Sequence, residues 1–235
     1  MTAPSIPSRR PPRRRLLVIL ALAIPAIVIL LAIVSISIGE GGRPLKITGA
    51  SETQLLYGGI LQNGDVLGSA DAPVTITYFT DLQNPDSAEY HFTTIPPLIE
   101  EFVRDGEVKL ALRHFSTAEN TTQTAAFAAT AAGEQERQWQ YANLFFINQP
   151  EPGERITIEL LRGVAGAVLE FDESDWEQDF DADEVRTVVE SDNQEGIELL
   201  LSTDPAMIVE GPSGATELQD APSLDEIEAA VAGVS

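Results

Sequence analysis

The sequence predicts an α/β domain that carries a helical insertion and is preceded by one N-terminal transmembrane helix. Two β-branched segments with alternating polarity, Val74–Phe79 and Val108–Arg113, flank a helical segment, which predicts a strand–helix–strand unit. A block of helical patterns follows, and the chain ends on two short strands and a helix. This order favours one α/β domain, and a length of 235 residues suits one sizeable domain with appendages.

The domain is predicted to cover residues 55–235, with the helical insertion at about 118–201, after a Gly-rich tether at 39–54. We expect the first helix of this domain, Ala88–Arg104, to be interrupted at Pro96-Pro97, because proline removes a backbone donor. The other predicted elements are helices at 121–132, 134–146, 157–169, 174–180, 183–201 and 223–231, and strands at 205–209 and 215–218.

An uncharged apolar run, Leu16–Ile38, predicts a transmembrane helix, since a helix of that length spans roughly 35 Å. Residues 1–15 form a basic segment, which places the N-terminus in the cytoplasm and the main domain on the extracytoplasmic side of the cell membrane. A cleaved signal peptide is the alternative, but its apolar core is normally only about 7–15 residues long. The sequence therefore favours an uncleaved signal-anchor.

The composition excludes several kinds of chemistry. The chain has no cysteine, which removes disulfides, thiolate nucleophiles, cysteine-ligated zinc and iron–sulfur clusters. Its two histidines, His91 and His114, argue against a histidine-rich metal site, and no cofactor is predicted. A formal net charge of −23 argues against nucleic acid as a partner.

Several segments, taken together, resemble one known family. They are Asp71–Phe79, the motif Asp81-Leu82-Gln83-Asn84-Pro85-Asp86-Ser87, Gly106–Phe115, Gln138–Gln149 and Thr203-Asp204-Pro205. Their order resembles the DsbA-like proteins of the thioredoxin fold, bacterial membrane-anchored or secreted proteins of the thiol–disulfide oxidoreductase type, from about Gly58 to the C-terminus. The resemblance implies a thioredoxin fold with a helical insertion and puts Pro205 at the family's cis-proline.

The same resemblance puts Asn84 and Ser87 at the positions of the family's two active-site cysteines. Thiol–disulfide exchange needs a thiolate nucleophile and a second, resolving thiol, so the family's redox activity does not carry over to this chain. The replacements predict a stable helix start instead: asparagine is a good N-cap, proline suits the first helical position, and Asp86 in the first turn complements the helix dipole.

Two functions stay open on this sequence. The first is non-redox binding of an extracytoplasmic protein or peptide client, as a chaperone or scaffold, in a groove formed by Asn84, Pro85, Asp204 and Pro205. The second is a residual catalytic role, oxidoreductase-like or hydrolase-like. It would use Ser87 and His91, which stand four residues apart on one helix face, with an acid such as Glu119 or Asp204.

Overall fold

The computed structural model describes residues 45–118, 123–152 and 154–235. Residues 46–235 form one compact unit. No helix in this part of the chain is long and apolar enough to span a bilayer. The predicted basic segment and transmembrane helix, at 1–15 and 16–38, lie outside the described residues.

The domain begins earlier than the sequence predicts. Helix α1, Ala50–Tyr57, occupies part of the predicted tether, and Thr48 donates its backbone N–H to Oδ1 of Asn148 at 2.9 Å. The side chain of Tyr57, at the end of α1, is buried in the core. The structure of residues 46–54 thus differs from the predicted tether. A short helix can be stabilised by packing against the domain even where its sequence pattern is weak.

In the described residues the strands are β1 (Gln62–Asn63), β2 (Val66–Leu67), β3 (Val74–Thr80), β4 (Val108–His114), β5 (Ala206–Gly211) and β6 (Gly214–Leu218). They form one sheet in the order β1-β2-β4-β3-β5-β6. Strands β3 and β4 are parallel, and the other neighbouring pairs are antiparallel. The ends of β3 and β4 therefore meet at the edge of the sheet where β5 begins.

The predicted interruption of the first domain helix at Pro96-Pro97 is wrong. Helix α2 runs from Pro85 to Leu98 and continues into a π-helical turn, Ile99–Val103. The two prolines remove two backbone donors, but the helix does not end there. It widens into a π turn, in which the Arg104 N–H donates to the Ile99 carbonyl.

The helical insertion packs through small and aromatic residues. The remaining helices are α3 (Thr124–Gly133), α4 (Gln138–Ile147), α5 (Ile158–Ala165), α6 (Glu173–Phe180), α7 (Asp183–Glu198) and α8 (Leu224–Val234). Alanines of α3 are fully buried and let neighbouring helices approach closely. Trp176 of α6 is fully buried, and its indole N–H donates to the Ala128 carbonyl at 2.9 Å. A second buried cluster, Phe79, Phe115, Leu201 and Ala206, lies at the ends of β3 and β4.

Candidate functional site

The N-terminus of helix α2 is capped as the sequence predicts. Asn84 has extended backbone angles, and its Oδ1 accepts the backbone N–H of Asp86 at 3.0 Å. Pro85 occupies the first helical position, where its missing N–H costs nothing. The predicted helix start is confirmed, and it brings Asn84 and Ser87 to the edge of the sheet where β3 ends.

One carboxylate joins this helix start to two other segments. Oδ1 of Asp204 accepts hydrogen bonds from Asn84 Nδ2 at 2.7 Å and from Ser87 Oγ at 2.9 Å. Oδ2 of Asp204 accepts a hydrogen bond from Thr117 Oγ1 at 3.0 Å. The peptide bond between Asp204 and Pro205 is cis. Three of the four predicted groove residues, Asn84, Asp204 and Pro205, therefore meet at one place, with Pro85 exposed beside them.

The position of Asp204 has an electrostatic reason. Free N–H groups give a helix N-terminus a partial positive charge that favours an anion. Asp204 supplies a carboxylate to the start of α2 from a loop that is distant in the sequence. A second acid, Asp81, lies close by, and burial, together with the Asp204 carboxylate, raises the pKa of Asp81. The site is thus acidic and already holds an anion of its own.

Ser87 and His91 form hydrogen bonds with different residues. The Ser87 side chain is fully buried, and its hydroxyl donates to Asp204. His91 is also fully buried, with Nε2 at 3.3 Å from the Tyr57 hydroxyl and 3.2 Å from Oδ1 of Asn143. Burial lowers the pKa of His91 to about 4, so the ring is neutral near pH 7. Glu119, the other acid considered for a triad, lies outside the described residues.

A family model described as thioredoxin matches residues 61–231, most of the chain. The chain belongs to the thioredoxin family. It is similar to the probable disulfide bond formation protein D of Bacillus anthracis, with 27% identity over 149 residues, 62% of this chain and 69% of the relative. Neither of the positions that the resemblance assigns to the thioredoxin-type thiols holds a cysteine, because the chain has none.

Solved structures give the same fold. BdbD of Bacillus subtilis in its oxidised form aligns with a TM-score of 0.63 at 20% identity, covering 74% of this chain and 96% of that protein. DsbA of Chlamydia trachomatis aligns with a TM-score of 0.60 at 20% identity, covering 72% of this chain and 89% of that protein. The predicted mixed α/β, DsbA-type thioredoxin fold is confirmed.

The loop before α2 is tied to the helical insertion, which the sequence does not indicate. Gln149 Nε2 donates to the carbonyl of Leu82 at 2.7 Å and to that of Asn84 at 3.3 Å. Gln149 ends the segment Gln138–Gln149 that carries part of the family resemblance, and Thr117 belongs to no recognisable motif. Neither position indicates these hydrogen bonds, so only the folded structure identifies the two residues as part of this thioredoxin-family site.

His114 is the last residue of β4, and its side chain is buried. Its Nε2 is 3.2 Å from Gln138 Nε2, and its backbone N–H donates to Oδ2 of Asp192 at 3.1 Å. Burial, and then the neighbouring Arg113, lower the pKa of His114 to about 3. In the described part of the chain, no group of three or more His, Asp or Glu side chains could hold a metal ion.

Proposed function

We propose that this thioredoxin-family protein is a membrane-anchored, extracytoplasmic recognition protein that binds other extracytoplasmic proteins or peptides without redox chemistry. The observation that carries the proposal is the Asp204 carboxylate, which accepts hydrogen bonds from Asn84 and Ser87 where the resemblance places two thiols. Thiol–disulfide exchange needs one thiolate that attacks the disulfide and a second thiol that resolves the mixed disulfide. The amide of Asn84 and the buried, hydrogen-bonded hydroxyl of Ser87 can do neither.

The surface around this carboxylate is suited to contact with a partner. Pro85 and Asp86 are exposed at the helix start, and Thr117 is exposed at the end of the β4 loop. Asn84 and Asp204 are half-buried. Their side chains are held in place by a hydrogen bond to each other and are still accessible from solvent. Side chains held in this way lose little entropy on binding, which supports recognition by a rigid surface.

The anchor rests on the sequence alone. The apolar run Leu16–Ile38 and the arginines before it support a single-pass protein with the folded domain outside the cytoplasm. The folded unit begins at Lys46, so the proposed span and the domain are separated by only a few residues.

A redox assay tests the first half of the proposal. The purified protein is expected neither to reduce insulin disulfides nor to oxidise a reduced peptide substrate. The matched comparison is the double variant Asn84→Cys with Ser87→Cys, which should form a reducible disulfide because both positions lie at the start of α2. Turnover by the unmodified protein in either assay would overturn the non-redox assignment.

A crosslinking experiment tests the recognition half. A photoreactive amino acid replaces the exposed Pro85 or Asp86 in the full chain and is irradiated in intact cells. The control carries the same group at Glu159, which is exposed on the helical insertion. We expect one defined adduct from the site positions and none from Glu159. Equal adducts from all positions, or none from any, would refute recognition at this site.

A further inference from the structure

The β5–β6 hairpin leaves one face of the sheet open. The cross-strand pairs Ile208–Glu217 and Glu210–Ala215 put these four side chains on one face, because side chains alternate along a strand. Glu210, Ala215 and Glu217 are exposed, and Ile208 is half-buried. We call these four residues the hairpin face. The opposite face of the hairpin contributes Met207 and Val209 to the main core, so only the hairpin face is open.

The outer edge of the same hairpin is also open. Strand β6, Gly214–Leu218, is the last strand of the sheet, and no described strand pairs with its outer side. An edge strand points alternate backbone N–H and C=O groups outward, where another extended chain can bind them. Natural edges are often protected by lysine or proline, and β6 contains neither.

An exposed apolar residue lies beside the hairpin face. Ile208 packs against the buried cluster that contains Leu201, and Leu199, at the end of α7, packs against the same cluster. The residue between these two leucines, Leu200, is 81% exposed. The Ser202 hydroxyl donates to Oε1 of Gln219 at 2.8 Å, which ties this segment to the end of β6. Leu200 and the hairpin face therefore belong to one continuous surface.

This surface is negatively charged. Glu210 and Glu217 are diagonal neighbours on the hairpin face, and neither forms an ion pair within the described residues. Some glutamates of the described residues are paired, for example Glu177 with Arg162 at 2.7 Å. The sequence from residue 187 to the C-terminus contains no lysine or arginine. On the same side of the sheet, Lys109 directs its ammonium to the Ala70 carbonyl at 3.0 Å.

We propose that the hairpin face, the β6 edge and Leu200 together bind an extended, cationic segment of a partner protein, in which Lys or Arg alternate with apolar residues. The backbone of that segment pairs with β6, its cationic side chains neutralise Glu210 and Glu217, and an apolar side chain covers Leu200. The inference rests on the proposed recognition function, for which it names the charge and the conformation of the client.

The test measures binding of labelled peptides to the full chain in a mild detergent by fluorescence anisotropy. The probe is a short peptide in which Lys and Val alternate, and its counterpart has Glu in place of Lys. We expect the lysine peptide to bind at least about tenfold more tightly than the glutamate peptide, and its affinity to fall as salt rises, because exposed charges are screened.

Matched variants locate the binding. We expect the double variant Glu210→Gln with Glu217→Gln to lower the affinity for the lysine peptide by about fivefold or more. The single variant Leu200→Asn should lower it by a similar factor. Leu200 has a positive φ of 57°, which asparagine tolerates, so the fold is retained. The controls are Glu52→Gln with Glu159→Gln, both exposed, and Leu55→Asn, where Leu55 is 79% exposed on α1. The controls should change the affinity by less than about twofold.

The outcomes separate the two proposals. Equal binding of both peptides, or equal loss in the hairpin and control variants, would overturn the cationic-client inference. The recognition function would still stand if crosslinks from Pro85 or Asp86 trap a defined partner. If the peptides discriminate as expected while those positions trap nothing, the hairpin surface is supported and the groove at Asn84 and Pro205 is refuted.

Discussion

Replacing Asp204 by alanine is the most informative perturbation of the site. It removes the acceptor of the hydrogen bonds from Asn84, Ser87 and Thr117. Ser87 is fully buried, so its hydroxyl would lose its partner without access to water, at about 1–3 kcal/mol. Asn84 is half-buried and Thr117 is exposed, so water replaces much of what they lose, and each contributes about 0.5–1 kcal/mol. The expected total loss is about 3 kcal/mol of unfolding free energy.

Urea unfolding of residues 46–235 at pH 7 measures this loss, followed by the fluorescence of the two fully buried tryptophans, Trp139 and Trp176. A double-mutant cycle of Asp204→Ala with Ser87→Ala isolates the buried hydrogen bond, for which we expect a coupling energy of about 1–2 kcal/mol. The same cycle with Thr117→Val should give a smaller coupling energy. A total loss below about 0.5 kcal/mol, with no coupling to Ser87, would refute the view that Asp204 organises the site.

Two further predictions concern buried residues. The pKa of His91 is lowered to about 4 in the folded protein, whereas a histidine in the unfolded chain has a pKa of about 6.5. As the pH falls below about 6.5, the unfolded protein therefore binds a proton at this residue that the folded protein does not, and the free energy of unfolding decreases. His91→Gln should therefore reduce the loss of unfolding free energy between pH 7 and pH 5 by about 2 kcal/mol, measured by urea titration, and an unchanged pH dependence would contradict this. At Gly196 an added Cβ would overlap the ring of Phe115, so Gly196→Ala should lower stability by about 1–3 kcal/mol. The matched control, Gly233→Ala, meets nothing within 4 Å and should be neutral or stabilising in the same assay.

Local signals in the sequence were enough for the elements that build the site. The alternating strands and the Asn84 cap follow from short-range patterns, whereas the cis-proline at Pro205 is implied by the family resemblance, and the structure has all three. Local patterns failed where tertiary packing decides. Helix α1, whose buried Tyr57 packs in the core, depends on neighbours that are distant in the chain. The π turn after Pro97 shows that two prolines can lie inside a helix without ending it, which the sequence does not predict.

The bond between Asp204 and Ser87 is of the same long-range kind. The two residues are 117 positions apart, and no sequence pattern around an aspartate before a proline indicates which side chain will donate to it. The sequence could place Asp204 beside the helix start only through the family resemblance, and that resemblance carried no information on what the side chain would bind. The hydrogen-bond geometry supplies this part of the site.

The missing thiols and the position of Asp204 are best explained together. A helix N-terminus favours a negative charge, and in a thiol–disulfide oxidoreductase a thiolate can provide it. In this chain Asp86 lies in the first turn of α2, and Asp204 adds a second carboxylate from a distant loop. The hydrogen bonds of Asp204 also join the loop after β4 to the loop before β5. A thiolate must be free to react and leave, whereas a carboxylate held by three side chains is fixed. The start of α2 is therefore a rigid surface, which is the property that the proposed recognition function requires.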